Sequence, residues 1–171
     1  DYKNLTCCFV EIEYKLMDPV RLLEDTLTRY QLPRNLLYPE VTENALVLQD
    51  DSIRQGLCRF RKAGFKVWLD DFGSGYSSLN VLKDYHFHTL KLDMAFLHPF
   101  TKESRTILTA IVRMAKELGV HTLAEGVETR EQAQFLRDIG CEKLQGYYFG
   151  RPLPAAECRP YCRDRNLSFE T

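Results

Sequence analysis

The stretch Val67-Trp68-Leu69-Asp70-Asp71-Phe72-Gly73-Ser74-Gly75-Tyr76-Ser77-Ser78-Leu79 constrains this chain more than any other. An apolar run ends in two adjacent carboxylates and then breaks into a Gly-x-Gly segment edged with hydroxyls. Such a pattern lets a buried strand deliver acids to the rim of a sheet. Neighbouring carboxylates repel, and both stay ionised at low cost only with positive charge between them. A divalent cation with oxygen ligands meets that need. A turn rich in Asp and Gly is the plainer reading of the same letters, so the rest of the chain decides between the two.

The rest of the chain repeats a unit. Helical segments end on Ala63-Gly64, Leu118-Gly119 and Ile139-Gly140, where glycine supplies a left-handed cap. Each glycine precedes a short run and then a polar residue: Phe65 to Leu69 then Asp70, Val120 to Ala124 then Glu125, Cys141 to Leu144 then Gln145. Thr89-Leu90-Lys91-Leu92-Asp93 forms a further strand that carries Lys91 and Asp93 at its end. Upstream, Thr6 to Glu13 alternates as a strand with Glu11 and Glu13 on one face. Asp18-Pro19 opens a helix with Val20, Leu23, Leu27 and Tyr30 at helical spacing until Pro33 stops it. Leu36 to Val41 reads as a short strand that closes on Glu40-Val41-Thr42-Glu43. A cap at or near Thr101 starts a long helix whose apolar face is expected at Ile107, Ile111, Met114 and Leu118. Thr129 and Gln132 form a capping box for the helix before Gly140.

Strands alternating with helices imply a parallel sheet wrapped by helices. Polar residues recur at the C-terminal end of every strand, where a closed (β/α) barrel builds its active site; an open doubly wound sheet gathers its ligand groups at one switch point. The expected class is therefore α/β, a modified TIM (β/α) barrel. A complete barrel needs eight strands in roughly 250 residues, so a chain of 171 residues is expected to lack the first two strands and to form one partial domain over 1–171.

With 44% hydrophobic residues the chain can bury one core. Its 23 Lys plus Arg nearly cancel 24 Asp plus Glu, which leaves no electrostatic footprint for a DNA or RNA polymer. No apolar run reaches the roughly 18 residues of a membrane span, and the N-terminus has no signal-peptide profile, so no membrane contact by this segment is expected. The 6 cysteines show no zinc-like double pair, and Cys158 and Cys162 read as ordinary thiols on a short helix rather than as a metal pair. A reducing cytoplasm fits them.

On the C-terminal face the expected groups are Glu11 or Glu13, Glu40, Glu43, Asp70, Asp71, Lys91, Asp93, Glu125, Glu128 and Gln145. So many carboxylates around one lysine call for one or two Mg²⁺ or Mn²⁺ ions and a phosphate-bearing substrate. Phosphoester hydrolysis is the reaction class that follows.

Five motifs now carry a resemblance: Glu40-Val41-Thr42-Glu43, Asp70 to Leu79, Leu90-Lys91-Leu92-Asp93, Ala124-Glu125-Gly126-Val127-Glu128 and Gln145-Gly146-Tyr147-Tyr148-Phe149-Gly150-Arg151-Pro152. Together, from about Thr6 to Pro154, the chain resembles the EAL family of cyclic-di-GMP phosphodiesterases. The resemblance implies a modified TIM barrel that opens cyclic di-GMP to linear pGpG. It implies that Glu40, Asp70 and Asp71 are metal ligands, that Lys91 touches the attacking water or a metal, and that Glu125 is the general base. It further implies that Glu43 braces the loop bearing Gly73, Ser74 and Gly75, a loop that links metal binding to a homodimer, and that Gln145 completes the site. Asp93 and Glu128 enter as supporting groups.

Two departures stand beside it. The family's Glu-Ala-Leu segment and the arginine after it have no counterpart here. Where the family places a metal-binding asparagine, Glu11 fits the strand face, whereas Asn4-Leu5-Thr6 fits the letters but lies too far upstream. The expectation is a phosphodiesterase domain of weak or absent turnover, cut from a parent that can carry a cyclase or sensor domain. The alternative is a degenerate receptor for the nucleotide, or a protein-interaction and dimerisation domain.

Overall fold

The computed structural model describes residues 18–47, 51–74 and 79–165. The expected strand over Thr6 to Glu13, with Glu11 on it, and Gly75 of the acidic loop lie outside the described residues. The elements run α1 (Pro19–Tyr30), β1 (Glu40–Thr42), α2 (Glu43–Val47), α3 (Asp51–Lys62), β2 (Trp68–Phe72), α4 (Leu79–Asp84), β3 (Thr89–Leu92), α5 (Lys102–Glu117), β4 (His121–Ala124), α6 (Arg130–Asp138), β5 (Lys143–Leu144) and α7 (Ala155–Asp164). The five strands pair in the order β1-β2-β3-β4-β5, and every pair is parallel. Spatial order equal to chain order, without a reversal, is how a barrel wall grows. A doubly wound sheet would change direction at its switch point.

Local chemistry sets the ends of these elements. The Asp18 carboxylate accepts from Val20 N at 3.2 Å, Pro19 opens α1, and Gln31 closes it in a left-handed conformation. Thr101 and Ser104 form a capping box on α5, and Thr129 with Gln132 forms the one on α6. The strand expected over Leu36 to Val41 is shorter and later. Arg34–Leu36 is a 3-10 turn, and β1 begins at Glu40, one residue after Pro39, whose missing N–H unsuits it to a ladder.

Helix α5 also differs from expectation. Leu108, Val112 and Ala115 are buried, whereas Ile107 is 48% and Leu118 is 54% exposed. The apolar stripe is wider than one seam, and the sheet takes the seam one residue further along; Ile111 and Met114 flank it as partly buried residues.

Outward-facing strand residues, Leu69, Leu90, Leu92 and Ala124, join helix residues such as Leu27, Phe60, Leu108 and Leu136 in one apolar core. Alternation along a strand sends Trp68, Asp70, Thr89 and Lys91 to the opposite face. There Tyr38 and Trp68 stack with ring centroids 4.6 Å apart, and the Lys143 ammonium lies 4.9 Å from the Trp68 ring centroid. Cys158 and Cys162 both lie on α7; Cys162 is buried, and the Cys158 thiol donates to the Pro154 carbonyl. Among the described residues, no helix is long and apolar enough to cross a membrane.

Candidate active site

Two neighbouring aspartates on a strand should point to opposite faces, so one of them ought to enter the core. Strand β2 escapes this by an irregularity. Its register against β3 shifts between Leu69 and Phe72, and Asp71 adopts a positive φ of 55°. Phe72 thereby takes the core position, 2% exposed, and both Asp70 and Asp71 stay out of the core. The Asp71 N–H donates to Asp70 Oδ1 at 3.0 Å, and Ser74 N donates to the Asp71 carbonyl at 3.0 Å. Aspartate tolerates the left-handed region better than most residues because its short side chain bonds locally.

Lys91 gathers the acids. Its Nζ lies 2.7 Å from Asp70 Oδ1, 3.0 Å from Glu125 Oε1 and 3.1 Å from Glu40 Oε2, and the side chain is 1% exposed. The three partners come from within β2, from the residue after β4 and from the first residue of β1. Asp70, Asp71 and Glu125 each present an oxygen, all within 4.8 Å of one another. Three carboxylates thus share one ammonium and a fourth, Asp71, lies beside two of them, an excess of three negative charges when all are ionised.

The proton affinities follow. Burial would depress the Lys91 pKa, but the hydrogen bond to Asp70 and the charges of Glu125, Glu40 and Asp70 outweigh it and push it well above the usual lysine range. Lys91 is therefore a fixed cation. Burial raises Glu40 and Glu125, opposed by Lys91 and reinforced by the neighbouring acids. Asp71 is raised by burial and then by Asp70 and Asp93. These carboxyls hold protons more tightly than free acids, first because burial penalises their charged forms and then because each faces other carboxylates. Their oxygen donors and surplus charge fit Mg²⁺ or Mn²⁺.

Other expected site residues are held by contacts of their own. Glu43, the first residue of α2 and 1% exposed, accepts from Gly73 N at 3.1 Å through Oε2, and so touches the turn after Asp71; Ser74 follows on that turn. Asp93 caps the 3-10 turn after β3 by accepting from Ala95 N at 2.7 Å. Gln145 is exposed, and its backbone ties the end of β5 to Ala124 and Val127. Glu128 is exposed, with its N–H donating to Gln132 Oε1 at 2.8 Å.

Three residues that motif reasoning did not place at the site support it. His98 Nε2 donates to the Gly126 carbonyl at 3.0 Å, Gln132 Nε2 donates to the Leu97 carbonyl at 3.2 Å, and Phe96 sits against Gly73. Gln132 was visible in sequence as half of a capping box. No sequence signal distinguishes Phe96 or His98 from ordinary loop residues.

A family model described as EAL domain matches residues 12–152. The cyclic di-GMP phosphodiesterase NbdA of Pseudomonas aeruginosa is 39% identical over 162 residues, which are 93% of this chain and 20% of that protein. Among solved structures, the PaMucR phosphodiesterase in complex with c-di-GMP has a TM-score of 0.77 at 35% identity, covering 88% of this chain and 62% of that one. Klebsiella pneumoniae BlrP1 in a manganese and cyclic-di-GMP complex has a TM-score of 0.76 at 34% identity, covering 81% of this chain and 36% of that one. The chain spans less than two thirds of each of these relatives. The match over most of its length, to a family model and to relatives above 30% identity, shows that the chain belongs to the EAL domain family.

Proposed function

We propose that this chain is the acid-bearing part of a metal-dependent phosphodiesterase that hydrolyses cyclic di-GMP to linear pGpG. The single observation that carries the reading is the cluster in which Glu40, Asp70 and Glu125 meet the buried Lys91 ammonium and Asp71 lies beside Asp70 and Glu125. Glu40, Asp70 and Asp71 would hold one or two Mg²⁺ or Mn²⁺ ions; Glu11 is a further ligand in this reading, outside the described residues. When bound, such ions supply positive charge against the phosphoryl oxygens and acidify the attacking water.

The protein's own groups do the rest. Glu125, its proton affinity raised by burial, accepts the proton of the water as its oxygen bonds to phosphorus. One ester P–O bond breaks, the leaving oxygen takes a proton, and the ring of the dinucleotide opens. Lys91, held cationic, keeps Glu125 and Asp70 on one side of the reaction and offsets charge that builds on the phosphate. Glu43 steadies the turn after Asp71 through Gly73 N. Asp93, Glu128 and Gln145 frame the mouth.

The same reading makes cyclic di-GMP the ligand, a second copy of the chain the partner, and a fused cyclase or sensor domain a feature of a longer parent. Free thiols at Cys58, Cys141, Cys158 and Cys162 suit a reducing compartment, the cytoplasm. The test is conversion of cyclic di-GMP by this chain with Mn²⁺, beside nucleotide binding in chelator. Turnover to pGpG that chelator stops supports the reading. Binding in chelator with no turnover under Mn²⁺ would make the domain a receptor instead.

A further inference from the structure

The two turns that follow the acids each carry a glycine with left-handed backbone, Gly73 at φ 94° after Asp71 and Gly126 at φ 69° after Glu125. One short segment presses on both. A methyl group at Gly73 would collide with the Phe96 ring, and a methyl group at Gly126 would collide with Met94 Cβ. Met94 and Phe96 are the two ends of the 3-10 turn that follows β3, the strand that carries Lys91. Close approach of this kind is open only to glycine.

The segment is itself fixed at several points. Asp93 Oδ1 accepts from Ala95 N at 2.7 Å, and Asp93 N donates to the Phe72 carbonyl at 3.3 Å. Leu97 is 1% exposed. Gln132 Nε2 bonds the Leu97 carbonyl, and its Oε1 accepts from Glu128 N and Thr129 N at 2.8 and 3.0 Å. His98 Nε2 donates to the Gly126 carbonyl. On its other side, Gly73 is held by Glu43 Oε2. Phe96 thus lies between a turn that opens on Asp71, a residue with positive φ, and a segment bonded to the Glu125 turn.

We propose that Phe96 is a positioning residue for the acid ring: seated on Gly73, its ring keeps the Asp71 turn in place and couples it, through Met94 and His98, to the turn after Glu125. The inference rests on the reading of those acids as cation ligands. Phe96 touches no reacting atom and acts through the backbone of Asp71 and Gly73. The 3-10 turn is the part that makes two acids from different strands move as one body.

The test uses this chain as it stands, with two readouts: Mn²⁺ binding followed by loss of the free-ion electron spin resonance signal, and amide hydrogen exchange in the metal-free protein. Phe96→Ala is expected to weaken Mn²⁺ binding about tenfold, the scale on which groups behind metal ligands act. Phe96→Leu, which keeps an apolar contact on Gly73 and preserves the fold if the alanine variant does not, is expected to recover most of it. Leu27→Ala, in the remote α1 seam, should lower the melting temperature without changing Mn²⁺ affinity. In Phe96→Ala the amides of Gly73, Val127 and Glu128 should exchange faster together, and in Leu27→Ala they should not. Unchanged Mn²⁺ affinity in Phe96→Ala, or faster exchange at Gly73 with Val127 and Glu128 unaffected, overturns the proposal. If the parent chain takes up no Mn²⁺, the cation reading fails by itself, and the exchange pattern still decides whether Phe96 joins the two turns.

Discussion

Lys91 Nζ lies 2.7 Å from Asp70 Oδ1 while it also reaches Glu125 and Glu40, so one buried ammonium is the counter-charge of carboxylates from three other strands. Replacing it with a shape-matched apolar residue, Lys91→Met, leaves those acids facing one another. Breaking a buried ion pair from one side costs about 3–5 kcal/mol, and the variant should melt well below the parent in chelator. Added Mn²⁺ should narrow the gap, because cations can take over part of the lost neutralisation. Thermal melts with and without the metal check both statements.

Glu125→Gln should remove turnover and spare nucleotide binding. The amide keeps the size of the side chain but cannot accept the water's proton, and loss of a positioned base costs about 10²–10⁴ in rate. Single-turnover hydrolysis beside equilibrium binding of cyclic di-GMP separates the two effects. Wild-type turnover in this variant would assign the base elsewhere.

Gly146→Ala should disturb the mouth of the site through the backbone. Gly146 has φ 156°, and a Cβ there would strike the backbone N, C and O of Val127. The loop bearing Gln145 must then shift relative to the Glu125 turn. A stability loss of roughly 1–3 kcal/mol is expected, visible as a lower urea midpoint, together with weaker nucleotide binding.

The buried His88 should make its own contribution to acid sensitivity. His88 is lowered from 6.5 to about 4, first by burial and then by the charges of Lys66, His121 and Lys143, with Glu142 opposing. The unfolded chain takes up this proton near pH 6.5 and the folded chain only near pH 4, so between those values protons favour unfolding. Stability contributed by neutral His88 is complete above pH 6.5 and is lost as pH falls toward 4. His88→Asn, which retains a partner for Thr89 Oγ1, should flatten the change in urea midpoint between pH 7 and pH 5.

The order of strands and the identity of the acid ring were legible because both are written in local patterns. Glycine caps mark where helices end, Asp70 and Glu125 each close a short apolar run, and Lys91 interrupts one. Strand β1 begins a few residues later than the pattern predicts: Leu36 and Leu37 read as strand, whereas the ladder starts at Glu40, after Pro39. The buried seam of α5 lies one residue beyond the expected one: Ile107 and Leu118 share a stripe with Ile111, but Leu108 and Val112 are the buried residues. Periodicity shows that a face is apolar, not which edge of a broad stripe is pressed inward. The means by which Asp70 and Asp71 both avoid the core was not legible at all. It depends on a register shift and a left-handed residue that no letter announces.

The sequential strand order has a consequence for how the site comes into being. Lys91 and Glu40 are 51 positions apart along the chain, and Glu125 joins them because β4 pairs beside β3. The acids therefore come from three separate stretches of the chain, near β1, β2 and β4, and a wall lacking any one of them has only part of the anionic pocket. A cation that binds only the finished wall stabilises it by mass action, about 2.7 kcal/mol at a hundred times its dissociation constant. Cellular supply of the ion would then set how much of the newly made chain persists in its native form, before any nucleotide is met.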